Sequence, residues 1–142
     1  MPARVLVVCL LGLLSLPALA LAAASAGTKT FTVTLLGSNE VPKGAPNGSG
    51  KAVITLNAGT AKVCWSFSNL KGISNVTASH IHKAPKGKSG PVVIAFFTGT
   101  LTTKGCVKAS KSLITAIEKN PSAYYVNIHT AKYPAGAIRG QL

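Results

Sequence analysis

Lys51-Ala52-Val53-Ile54-Thr55-Leu56-Asn57-Ala58-Gly59-Thr60-Ala61-Lys62-Val63-Cys64-Trp65-Ser66-Phe67-Ser68 decides the fold class. Ala52, Ile54 and Leu56 alternate with Val53 and Thr55. Val63, Trp65 and Phe67 alternate with Cys64, Ser66 and Ser68. An apolar period of two over such short runs marks strands with one face buried. Asn57-Ala58-Gly59-Thr60 between them supplies turn chemistry, so the stretch reads as a hairpin. Upstream, Phe31, Val33 and Leu35 alternate with Thr32 and Thr34 in the same way.

The rest of the chain extends the pattern. Clusters of Gly, Pro and Asn punctuate it at 42–50, 69–72, 85–91 and 133–136. Pro91 to Phe97 is a continuous apolar run, which predicts a central strand or one buried on both sides. Ser110 to Lys119 breaks the alternation. Leu113, Ile114 and Ile117 fall on one helical face, Ser110 can cap the start, and Asn120-Pro121 can end it. The expected fold is mainly β: an antiparallel Greek-key β-sandwich or flattened barrel of about seven or eight strands, with one short helix near 110–119.

The chain opens with Met1-Pro2-Ala3-Arg4, then an uncharged apolar run to about Ala24, broken by Pro17. Ala24-Ser25-Ala26 supplies a small-x-small cleavage site. This is the layout of a secretory signal peptide over 1–26, removed to leave one domain over 27–142 with no membrane span. Cys9 lies in mid-run and reads as an ordinary apolar residue of the signal. Cys64 and Cys106 remain, and an even count in an oxidising compartment predicts a disulfide.

Lys and Arg number 15 against two acids, Glu40 and Glu118, giving a formal charge of +13. That balance favours anionic surroundings outside the cell, such as a polyanionic surface. Lysines are spread along the chain, most densely at Lys83, Lys86 and Lys88. Interleaved aromatic platforms are missing, which argues against specific nucleic-acid binding.

All three histidines lie in strand-like segments. His80 and His82 flank Ile81, so their side chains share a face. His129 closes Tyr124-Tyr125-Val126-Asn127-Ile128-His129. There Tyr124, Val126 and Ile128 form the better core face, leaving Tyr125, Asn127 and His129 on a polar one. Two strand histidines at i and i+2, joined by a third, can hold copper, or less readily zinc, with one coordination position open. Two hydrogen-bonded polar residues at a sheet end explain His80 and His82 equally well at this point.

Catalytic constellations are poor. No serine stands in a nucleophile motif with a histidine and an acid, and two glutamates offer little paired-carboxylate chemistry. Glu40 reads most simply as a turn acid, the alternatives being to orient a histidine or pair with Arg139. Arg139 either attends an anion near His129 or bonds loop carbonyls.

Ala78-Ser79-His80-Ile81-His82, Ser89-Gly90-Pro91-Val92-Val93, Gly105-Cys106, Asn120-Pro121, Tyr124 to Thr130 and Gly136 to Leu142, in that order, resemble the CHRD (chordin) domain. The resemblance spans nearly all of Thr30 to Leu142. It implies an extracytoplasmic β-sandwich module, found in bacterial secreted proteins and in animal chordin, a secreted antagonist of growth factors. It implies an extracytoplasmic ligand or protein partner without naming one, and no complete catalytic set accompanies it. The expected function is therefore a secreted, non-catalytic binding module, with a three-histidine copper or zinc protein as the alternative.

His80-Ile81-His82 with the Gly-rich loop to Gly90-Pro91 is also similar, more distantly, to the copper-ligand strand of Cu/Zn superoxide dismutases. That likeness implies copper at His80, His82 and His129 and an anion-attracting Arg139. Tyr125, Asn127 and Glu40 would then lie around the site. The departures are plain: no histidine lies in the Lys83–Pro91 loop, and the chain has no Asp for a zinc site. An intact Cu/Zn dismutase is not expected.

Overall fold

A computed structural model describes residues 27–142. The signal-peptide expectation, with Arg4 and Cys9, lies outside the described residues. Eight strands follow: β1 Thr28–Leu36, β2 Ser49–Asn57, β3 Lys62–Lys71, β4 Val76–Lys83, β5 Val92–Thr98, β6 Lys104–Lys108, β7 Tyr124–Thr130 and β8 Ile138–Gln141. One helix, α1 (Lys111–Lys119), interrupts them. No described helix is long and apolar enough to cross a membrane.

All neighbours are antiparallel, in the order β5-β4-β7-β8-β1-β2-β3-β6. The edge strands β5 and β6 approach each other, so the sheet nearly closes into a flattened barrel. β4, β5 and β6 follow in sequence, and β7 returns through α1 to lie beside β4, a Greek key. The two four-stranded halves meet through the single register pair Leu36↔Arg139.

The alternating residues point where their period requires. Val33, Leu35, Ala52, Ile54, Leu56, Val63, Trp65 and Phe67 are buried, while the intervening Thr32, Thr34, Lys51 and Ser66 are exposed. Trp65 stacks on Phe96 with ring centroids 4.8 Å apart, tying β3 to β5 across the interior. The hairpin between β2 and β3 forms at the expected turn, where Asn57 Oδ1 accepts from the Thr60 amide at 2.8 Å. In α1, Ser110 Oγ accepts from the Leu113 amide, and Ile114 and Ile117 are buried in the core.

The apolar run 91–97 is a correction. β5 is an edge strand, not a central one, and only Ile94 and Phe96 are fully buried. Val92 is 48% exposed and Ala95 faces outward. An apolar run does not reveal whether its second face is covered, and here it is not. β7 differs in the opposite sense, because every one of its residues is buried. Its Tyr124, Val126 and Ile128 join the core as expected. Its other face is covered on the outside of the barrel, where the site lies.

Candidate metal centre

The cross-strand register assembles the site on the outer face of β4, β7 and β8. Ala78 pairs with His129, His80 with Asn127, and His82 with Tyr125; Asn127 and Tyr125 pair onward with Arg139 and Gln141. His129 is therefore the diagonal neighbour of His80, within side-chain reach. Ile81 points the other way and is fully buried in the core. The ring centroids lie 4.9 Å (His80 to His129), 5.5 Å (His80 to His82) and 5.9 Å (His82 to His129) apart.

Two main-chain carbonyls set the tautomers. His82 Nδ1 lies 2.9 Å from Gly90 O, and His129 Nδ1 lies 2.9 Å from Pro134 O. A carbonyl only accepts, so both Nδ1 atoms carry the proton and both Nε2 lone pairs turn to the shared space. His80 Nδ1 donates to His129 Nε2 at 3.1 Å. His82 Nε2 is buried and has no hydrogen-bond partner. An orphaned imidazole nitrogen is costly unless something occupies its lone pair.

The three histidines offer ligand atoms all within 4.8 Å of one another. Imidazole nitrogen lies about 2.0–2.1 Å from such an ion, so two ligands of one ion are at most about 4.1 Å apart. The 3.1 Å pair fits once the His80 proton moves from Nδ1 to Nε2 and frees Nδ1 to ligate, and a pair at the full 4.8 Å must close by at least about 0.7 Å. The residues present thus fit a mononuclear ion. Burial, followed by the charges of His129 and His82, pushes His80 down to about 4. Burial also lowers His129, against the raising effect of the Pro134 carbonyl. Neutral rings are the form that ligates.

Behind the histidines stands a second layer. Tyr125 stacks on His82 at 4.8 Å with an interplanar angle of 4°. The Arg139 guanidinium lies 4.2 Å from the Tyr125 ring centre, a cation–π arrangement. Arg139 Nε donates to Asn39 O at 2.6 Å and Nη1 to Lys88 O at 3.0 Å, so the arginine does bond loop carbonyls. Glu40 is not the solvated turn acid that its sequence context favours. It is buried, 3.8 Å from Arg139 Nε. Burial raises it to about 7, offset only in part by Arg139, Asn127 and the Val41 amide. No hydrogen bond joins Glu40 or Asn127 to a histidine among the described residues. Asn127 is fully buried close enough to Glu40 to lower it, but its side-chain atoms reach no well-formed hydrogen bond.

The structure thus brings His80, His82 and His129 together, with Tyr125 and Arg139 stacked behind them and Glu40 and Asn127 beside Arg139. Cys64 and Cys106 form a disulfide between register partners of β3 and β6, away from this face. Lys83, Lys86 and Lys88 are exposed on or beside the loop that supplies Gly90 O. What a side-chain search misses is the main chain, since Gly90 O and Pro134 O orient two of the three rings. Gly90 carries a faint signal, because a Cβ there would collide with Lys83 O.

A family model for the CHRD domain matches residues 31–142. The chain belongs to the CHRD family. The match runs from β1 to the last residue, so it contains every element that builds the histidine site. No curated protein and no solved structure matches the chain. The functional argument for this CHRD domain therefore rests on its geometry.

Proposed function

We propose that this CHRD domain is an exported, non-catalytic binding module that holds one copper ion through His80, His82 and His129. One observation carries the reading: His82 Nε2 is buried without a partner while the Gly90 carbonyl fixes its Nδ1–H. A carbonyl on the far nitrogen is the usual outer support of a ligating histidine. Copper ranks above zinc because an all-imidazole site binds Cu(II) more tightly than its neighbours in the divalent series. The apolar leader over 1–26, as the export signal, and the disulfide support an oxidising, extracytoplasmic setting, with 27–142 as the mature domain. A binding role is favoured over turnover because the buried acid near the site, Glu40, is already matched with Arg139.

The test is titration of tag-free protein with Cu(II), Cu(I) and Zn(II), repeated on His129→Ala. One equivalent of copper should bind, and the variant should lose about a hundredfold or more in affinity, as expected for a lost ligand. Unchanged affinity in the variant removes the three-ligand site. A robust turnover abolished by a single substitution would overturn the non-catalytic part.

A further inference from the structure

The Cys64–Cys106 bridge lies on the outside of the barrel, in the half of the sheet that carries no histidine. Val63 and Trp65, on either side of Cys64, are buried, so Cys64 faces outward. On β6, Gly105 abuts the Trp65 ring and Val107 packs on the core. Cys106 between them therefore faces outward too, and it is exposed. Access is a first requirement for exchange with another thiol. β6 is also an edge strand, so no paired strand lies beyond Cys106.

The surroundings of the bridge are cationic. Lys104 and Lys108 stand two residues before and after Cys106, and Lys62 two before Cys64. All three therefore share the outer face with the two sulfurs. Lys62 and Lys108 are register partners, like charges set opposite each other. The three lysines are exposed, and none is in an ion pair among the described residues; Lys108 Nζ donates to Thr60 O at 3.1 Å. The two acids of the chain lie elsewhere, Glu40 buried against Arg139 and Glu118 on α1.

Ammonium groups beside a disulfide draw in an anionic thiolate and stabilise the thiolate that leaves. We infer that Cys64–Cys106 is a thiol–disulfide exchange site for a small thiol that carries carboxylates, attacked at Cys106 Sγ. The incoming thiolate bonds to Cys106 Sγ as the Cys64–Cys106 bond breaks, and Cys64 Sγ leaves with the electron pair. A second thiolate then attacks the incoming sulfur of that mixed disulfide and releases the Cys106 thiolate. Two small thiols are oxidised to their disulfide, the bridge is reduced by two electrons, and both cysteines take up the protons. The histidines play no part.

The experiment challenges native, metal-free protein in chelator, without denaturant, with glutathione (anionic), 2-mercaptoethanol (neutral) or cysteamine (cationic). Free cysteines are alkylated and read by mass. Each rate is divided by the same thiol's rate on a small uncharged disulfide. Reduction should be first order in thiol, and the scaled rates should fall from glutathione through mercaptoethanol to cysteamine. They should converge in about 1 M salt, where charges are screened beyond about 3 Å. Lys104→Gln and Lys108→Gln, both exposed changes, should each slow glutathione by about two- to fivefold, the scale of an exposed charge contact, and leave mercaptoethanol unchanged. Acid quenching part-way should find glutathione on Cys106. A rate independent of thiol concentration, meaning that the bridge opens only when the protein unfolds, overturns the inference. So do equal scaled rates for the three thiols, or glutathione found on Cys64.

Discussion

His82 is held from two sides, by Gly90 O through its Nδ1 and by the Tyr125 ring through its face, and its remaining nitrogen is bare. Its partners His80 and His129 are kept neutral by burial, His80 with a value of about 4. Protons on those two rings therefore compete little with metal near neutrality. Proton competition at His80 should be felt only as pH approaches about 4, so copper affinity should go on falling well below pH 6, where a free imidazole near 6.5 would already be protonated. Competition titrations between pH 8 and 4 read this, and a loss already complete at pH 5 would contradict it. Glu40 pulls stability the other way. His80, lowered in the folded state, contributes stability present above about 6.5 and lost as pH falls toward about 4. Glu40, raised from 4.5 to about 7, contributes stability present below 4.5 and lost as pH rises through 7. Glu40→Gln removes only the second slope. The variant should gain on the parent between pH 5 and pH 8 in urea midpoints, and a constant difference would show that Glu40 titrates normally.

At the scale of elements, the site depends on strand register more than on any loop fold. The pairs Ala78↔His129 and His82↔Tyr125 put residues more than forty positions apart into one patch. A one-residue slip of β7 would send His129 into the core and Ile128 outward. The edge strand β6 lies in the other half of the sheet, fastened to β3 by Cys64–Cys106, whose Cα atoms are 4.0 Å apart. Replacing both cysteines by serine should cost about 4 kcal/mol in the chain-entropy treatment of a loop of this length. Copper affinity should be unchanged, because β6 contributes nothing to the histidine face. Denaturant unfolding and copper titration of the double variant check both halves. The alternating strands, the β2–β3 hairpin and the capped helix were all legible in the sequence, because each is fixed by contacts within a few residues. The edge position of β5 was not legible, since Pro91 to Phe97 has the same apolar run whether or not a neighbour covers its outer face.

For the whole molecule, the proposed ion is a ligand of the native state alone. The three imidazoles come from two strands that meet only in the folded sheet, so copper at a thousand times its dissociation constant should add about 4 kcal/mol to stability. Thermal or urea unfolding with and without copper should show the gain in the parent and its loss in His129→Ala. Equal stabilisation of both proteins would place the ion elsewhere, for instance on exposed groups of this very basic chain.

Local chemistry in the sequence determined the β-rich fold, the single helix, the shared face of His80 and His82, and the kinship with CHRD domains. Period, turn residues and motif order are written over short stretches of chain, so one dimension suffices to read them. Tertiary structure alone decided that His129 meets that pair, that Gly90 and Pro134 carbonyls aim the rings, and that Glu40 is buried against Arg139. Those outcomes depend on register between distant strands and on main-chain atoms that every residue possesses, and neither leaves a mark in side-chain order.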